Sequence, residues 1–173
     1  NEIKSKNIDF VIVNGENAAE PGVGITEEIC KDFFNCGVNV ITTGNHVWDQ
    51  KKIMNYIEQE KKLLRPLNLF EPSPGKGFEI FTTKNNMKIG VLNLMGNVFM
   101  KKCDDVFEAA GKFLTKYIQS LIDWVFHIVD KLGYMNFLNH MNWLIILGML
   151  VLREYLLQIK VICCGEYPIT LNF

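Results

Sequence analysis

The stretch "VITTGNHVWDQ", residues 40–50, decides how the first half of the chain is read. Val40 and Ile41 are β-branched strand formers, Thr42 and Thr43 continue them, and Gly44 frees a sharp exit from the strand. Asn45 and His46 then stand at the C-terminal end of that strand. In an open α/β sheet this is the edge where ligands and reacting groups gather. Asp49 is placed to cap the next helix, "QKKIMNYIEQE", in which Ile53 and Ile57 share one face and lysines and glutamates cover the other.

Upstream, "IDFVIVNGEN" predicts a buried strand from about Ile8 to Val13 that ends in a second polar corner: Asn14, Gly15, Glu16, Asn17. Between the corners, "AAEPGVG" is a loop and "ITEEICKDFFNCG" a helix. Thr26 can cap that helix, Glu27 and Glu28 suit its positive end, Ile29, Phe33 and Phe34 form its apolar face, and Gly37 closes it. Strand, helix and strand make a βαβ unit, expected to be parallel and right-handed.

Downstream, Arg65 and Pro66 end the second helix and "LNLFEPSPGKG" is a long loop. "FEIFTT" and "MKIGVLNL" read as strands around a polar turn, and "DVFEAAGKFLTKYIQSL" as a helix from about Asp105. From about Leu121 the sequence becomes apolar with scattered aromatics and little turn punctuation. A helix from about Asn142 to Gln158 is the expectation there.

A length of 173 residues suits one domain with a real core. With 49% hydrophobic residues and a net charge of -1, the chain reads as globular and not as a basic nucleic-acid binder. A bound phosphate would have to be held by local groups or metals, because the field of the whole protein is weak. Five cysteines, odd in number and without metal-finger spacing, favour a reducing compartment, with the cytoplasm as the default. The polar start "NEIKSKNIDF" does not read as a secretory signal. The apolar run "WLIILGMLVL" falls short of the roughly 20 residues of a spanning helix and reads as a buried element, so no membrane partner is expected.

Consecutive parallel strands would present Glu16 with Asn17, and Asn45 with His46, along one edge. Carboxylate and amide oxygens suit hard or borderline divalent ions such as Mn²⁺, Fe²⁺ or Mg²⁺, and a carboxylate can bridge two of them. A histidine beside such a cluster can pass a proton to a leaving group. Either corner alone would more often just satisfy local backbone groups; two on successive strands favour a site. His127 and His140, in the apolar tail, read as core or surface histidines, Cys163 and Cys164 as buried thiols, and Trp48 as packing.

The segments "FVIVNGENAAEPGVGIT", "GVNVITTGNHVWDQKKIMNYI", "LLRPLN", "PGKG" and "VLNLMGNVFM" carry a family resemblance. Together they resemble the bacterial YmdB-like family of calcineurin-like metallophosphoesterases, 2′,3′-cyclic-nucleotide 2′-phosphodiesterases, over about Asp9 to Phe107. The resemblance implies an α/β/β/α sandwich holding two metal ions, Fe or Mn, about 3.5–4 Å apart. It puts the bridging carboxylate on Glu16, a first-metal ligand on Asn17, a second-metal ligand on Asn45 and the proton donor on His46. The implied substrate is a small phosphodiester such as a cyclic nucleotide; RNA would fit the chemistry but finds no support in the charge.

The family pattern also has an opening strand ending in aspartate, an Asp-Phe-His strand end and a Thr-His-Thr-His strand end, and none of these occurs here. The expectation is therefore a partial metallophosphoesterase domain over residues 1–120, lacking the first strand, with an impaired site. Residues 121–173 would be a divergent apolar tail, like another reading frame joined to a truncated member, and not an independent domain. The alternative is a non-catalytic binding or interaction module whose tail covers the sheet or pairs with another subunit.

Overall fold

The computed structural model describes residues 8–20, 22–70, 72–96, 103–131, 158–164 and 169–170, with side chains up to residue 120. Three short parallel strands form the first sheet: β1 (Ile12–Asn14), β2 (Val40–Thr42) and β3 (Leu63–Leu64), in that order across the sheet. The β1–β2 crossover is α1 (Glu27–Asn35) and the β2–β3 crossover is α2 (Ile53–Gln59), so the expected βαβ unit is present and continues into a second one. The third strand was not foreseen. It has two residues, too few for any periodic signal, and falls where the sequence predicts only the end of a helix.

Local chemistry explains the edges of α1. The Thr26 hydroxyl accepts the Ile29 N–H at 3.4 Å. At the other end Gly37 takes φ +98°, and the N–H groups of Gly37 and Val38 return to the carbonyls of Phe34 and Phe33 at 3.0 and 3.1 Å. This is a Schellman closure, which a side chain at position 37 would strain.

The alternation of a strand sorts the apolar residues onto two faces. Val11, Val13, Ile41 and Leu63 join a core with Ile25, Cys30, Ile53 and Ile57, under the two helices. Phe10, Ile12, Val40 and Leu64 join a second core with Phe81, Ile89 and Val91. Those last residues belong to a second sheet, whose strands β4 (Phe78–Thr82) and β5 (Lys88–Met95) are the expected antiparallel hairpin. The layers so far are helices, sheet and sheet.

Further along, α3 (Val106–Lys131) starts where the sequence predicts and runs longer than expected. Two tail segments then extend the second sheet: β6 (Gln158–Cys164) pairs parallel with β5, and β7 (Ile169–Thr170) pairs antiparallel with β6. The tail thus contributes strands. The expected helix over 142–158 lies outside the described residues except for Gln158, which opens β6. By compactness the chain divides into two units, Asn1–Val106 with Gln158–Asn172, and Phe107–Leu157 with Phe173. Among the described residues no helix is long and apolar enough to cross a membrane.

Buried polar side chains fasten the strand ends. Asn93 of β5, fully buried, donates from Nδ2 to the carbonyls of Thr43 at 2.8 Å and Leu64 at 3.0 Å, tying the second sheet to the C-terminal end of the first. Asn68 donates to the carbonyls of Met95 and Asp104 and accepts the Met95 N–H at 2.9 Å. Replacing Asn93 with Ala should lower unfolding free energy by about 2–3 kcal/mol, since buried carbonyls lose their donor. Urea denaturation would measure this.

Burial pushes the Cys30 thiol from an ordinary 9.0 up to about 12, with Glu60 and Glu27 adding to the effect. Between these values the unfolded chain releases a proton that the folded chain keeps. Folding stability should therefore be unaffected by this group below pH 9 and fall as pH rises toward 12, more steeply than in Cys30→Ala. Thiol labelling of the native protein should reach exposed Cys36 well before buried Cys30.

Candidate active site

Both polar corners lie at the C-terminal end of the first sheet, and strand register brings them together. β1 and β2 pair with Asn14 opposite Thr42, and the Gly15 N–H continues the ladder to the Thr42 carbonyl at 2.9 Å. Two residues on, Glu16 comes opposite Gly44. A Cβ built on Gly44 would stand 2.2 Å from the Glu16 carboxyl carbon and 2.2 and 2.4 Å from its oxygens. The carboxylate occupies the space that glycine leaves.

This corrects the reading of Gly44 as a conformational release. Gly44 is not among the residues of positive φ; its missing side chain is what the site uses. On β1 and β2, Ile12 and Val40 face the second sheet, so by alternation Glu16 and Gly44 fall on that same side.

Among the described residues Glu16 Oε1 is buried without a hydrogen-bond partner, as is Thr42 Oγ1, two residues before Gly44 on β2. A carboxylate oxygen removed from water with no donor is costly unless a cation or proton donor approaches it. Among the described residues no group of three or more His, Cys, Asp or Glu side chains is arranged to hold a metal. Glu16 is the carboxylate at this corner; Asn17 and Asn45, next in sequence to Glu16 and Gly44, carry amide oxygens, a donor type suited like a carboxylate to hard or borderline divalent ions. An orphaned buried carboxylate oxygen in a cradle that a methyl group would fill is compatible with a cation.

The other expected residues are placed as follows. Asn14 Oδ1 accepts the Glu16 N–H at 3.0 Å, shaping the corner. Asn17 is exposed, and its backbone bridges to Gly24. Asn45 is half-buried at the start of a run of turns, residues 45–52, that precedes α2. His46 lies in that run, and its Nδ1 is 2.6 Å from Asp49 Oδ2. Asp49 was expected to cap α2. Instead α2 begins after Lys52 with no side-chain cap, and the Asp49 carboxylate is committed to His46. The helix starts later than the sequence suggests because the turns consume residues 50–52. A carboxylate three residues after a histidine was the available signal for this pair.

The loop after Glu16 packs against the same turn. Gln50 Nε2 donates to the Val23 carbonyl at 3.0 Å, and a Cβ on Gly24, whose φ is +74°, would stand 2.9 Å from the His46 carbonyl oxygen. Trp48 is half-buried against the helix-side core, as expected of a packing residue.

Two solved structures superpose on part of this chain. A protein from Thermus thermophilus, described as hypothetical, superposes with TM-score 0.60 at 35% identity, covering 66% of this chain and 44% of that one. A novel phosphatase from Mycoplasma pneumoniae superposes with TM-score 0.59 at 34% identity, covering 66% and 43%. The described architecture is thus a mixed α/β fold of the kind found in phosphatases, consistent with part of a metallophosphoesterase. The model of the YmdB-like protein family matches residues 1–132, and the chain belongs to that family. A 2′,3′-cyclic-nucleotide 2′-phosphodiesterase of Bacillus subtilis (strain 168) is 40% identical over 107 residues, 62% of this chain and 40% of that protein. The chain spans less than half the length of each of these three relatives.

Glu16→Gln should stabilise the metal-free chain by about 1 kcal/mol, because an unpartnered amide is less costly to bury than an unpartnered charge. Chemical denaturation in a chelating buffer would test this; a loss of stability would mean that the carboxylate already has a favourable partner.

Proposed function

We propose that Glu16, Asn17, Asn45 and His46 belong to the site of a metal-dependent phosphodiesterase acting on 2′,3′-cyclic nucleotides or similar phosphodiesters. Membership of the YmdB-like family and the activity in the name of the B. subtilis relative support the reaction class. The single observation that carries the reading is the buried, unpartnered Glu16 oxygen seated against Gly44.

On this reading Glu16, Asn17 and Asn45 would hold divalent ions, iron or manganese. When bound, such ions draw charge from the phosphate oxygens and make water a nucleophile near neutral pH. Glu16 supplies the one negative charge of this donor set, while the two amides offer oxygen without neutralising the cation further. An anionic phosphodiester is thereby attracted locally, which the chain needs because its net charge of -1 offers no long-range steering. His46 gives its proton to the departing ribose oxygen.

With no larger cluster of metal-binding side chains among the described residues, turnover by the isolated chain is expected to be weak. A cytoplasmic setting, where thiols such as Cys36 stay reduced, suits this reading.

The test is Mn²⁺ titration calorimetry with hydrolysis of 2′,3′-cyclic AMP and bis(p-nitrophenyl) phosphate. Glu16→Gln should weaken Mn²⁺ binding by about tenfold or more, in line with the loss of a charged ligand. His46→Ala should leave binding in place and slow the cyclic nucleotide by about 10²–10⁴-fold. The nitrophenyl ester should suffer less, because its leaving group departs without a proton. A folded chain that neither binds Mn²⁺ nor hydrolyses either ester would overturn the proposal in favour of a non-catalytic module.

A further inference from the structure

His46 is held at one ring nitrogen by Asp49, three residues further on. Its Nδ1 is 2.6 Å from Asp49 Oδ2, and the Asp49 N–H donates back to the His46 carbonyl at 3.1 Å. The same residue therefore fixes both the backbone and the imidazole of His46. Around them the turn is closed by the Val47 N–H on the Gly44 carbonyl at 3.2 Å. From outside, Gly24 lies against the His46 carbonyl oxygen and Gln50 grips the Val23 carbonyl. About a third of each of the two side chains is exposed, 35% for His46 and 32% for Asp49, so the ring is anchored without being enclosed.

A carboxylate has no proton to give, so in the neutral ring the hydrogen must sit on Nδ1 for this contact to be a hydrogen bond. That choice leaves Nε2 as the nitrogen free for proton exchange. A ring without a partner would sample both tautomers and several rotamers, and only a fraction of the population would present the right nitrogen.

We infer that Asp49 is the positioning residue for His46: its carboxylate fixes the imidazole through Nδ1–H, so that the proton passed to the leaving oxygen is the one carried on Nε2 of the doubly protonated ring, which is left as the neutral Nδ1–H form. The inference rests on the phosphodiesterase reading for its chemistry, but the hold itself can be measured without metal or substrate. Asp49 acts through His46 and need not touch the phosphodiester.

The experiment is ¹⁵N-histidine NMR of the full chain in alkaline buffer, with His46 assigned by the loss of its signals in His46→Ala. The wild type should show His46 with its proton on Nδ1, and Asp49→Ala should shift it toward the Nε2–H form that water favours. Wild-type His46 with the proton on Nε2, or an unchanged pattern in Asp49→Ala, would overturn the inference. If Asp49→Ala does not fold, the isosteric Asp49→Asn serves as the second variant, and the wild-type spectrum alone still decides.

Kinetics with Mn²⁺ supply the second readout. Asp49→Ala should lower kcat for 2′,3′-cyclic AMP by about 10–100-fold with KM and Mn²⁺ affinity within about twofold of wild type. An unchanged kcat beside a shifted tautomer would also sink the idea. A wild type that binds no metal and turns over nothing removes the phosphodiesterase reading, while the NMR result still decides whether Asp49 holds the ring.

Discussion

The parallel pairing of Ile12–Asn14 with Val40–Thr42 is the constraint from which the rest of the site follows. A slip of one residue would turn every side chain of β1 to the other face. Phe10 and Ile12 would leave the core between the sheets, and the Glu16 carboxylate would be carried away from Gly44. The register is pinned at the strand entrance as well as by the ladder. Asn39 Oδ1 accepts the Val11 N–H at 2.8 Å, while the Asn39 N–H donates to the Val11 carbonyl at 2.9 Å. The hydrophobic pattern and this reciprocal pair thus require the same alignment, and consistency of that kind specifies a structure.

A second layer of constraint comes from polar groups that a hydrophobic core would ordinarily exclude. Arg65 is only 4% exposed, yet its guanidinium donates to the carbonyls of Pro66, Leu67, Ser73 and Pro74. Two of those acceptors are prolines, and the segment from Pro66 to Pro74 is a loop whose carbonyls find few backbone donors of their own. A rigid fork with five N–H groups can serve several at once, which an ammonium group on a flexible stem does less well. Asn68 and Asn93 act in the same way at the ends of the strands. Loop and sheet edge are therefore fastened from inside.

What the sequence disclosed was local and periodic. Thr26, Gly37, Ile53 and Ile57 each obey a rule that spans at most four neighbours, and the structure places each as those rules require. The two polar corners were legible because each follows an apolar run. Long-range partners were not. Nothing in "VLNLM" says that Asn93 reaches Thr43 and Leu64 across the interface between the sheets, because that contact depends on how two sheets stack. Asp49 was misread for a related reason. Two local rules competed for one carboxylate, a cap for α2 and a partner for His46, and the turns through residues 50–52 carried the helix start out of its reach. In the tail, β6 ("QIKVICC") follows a long apolar stretch with little turn punctuation to mark its start, and the parallel pairing with β5 that makes it a strand is a long-range contact.

The unpartnered oxygen of Glu16 is the place where local stability and the proposed chemistry pull apart. Two neighbouring backbone donors are engaged elsewhere, Gly15 N–H on the Thr42 carbonyl and Glu16 N–H on Asn14 Oδ1. Removal of Gly44's hydrogen-sized space would push the carboxylate aside at little cost to the fold, because its flexible end is what a methyl group would meet. The arrangement therefore survives only through glycine at 44 and the register that aligns it. A carboxylate oxygen already removed from water and left without a donor is a group that a cation would satisfy, because its desolvation precedes binding.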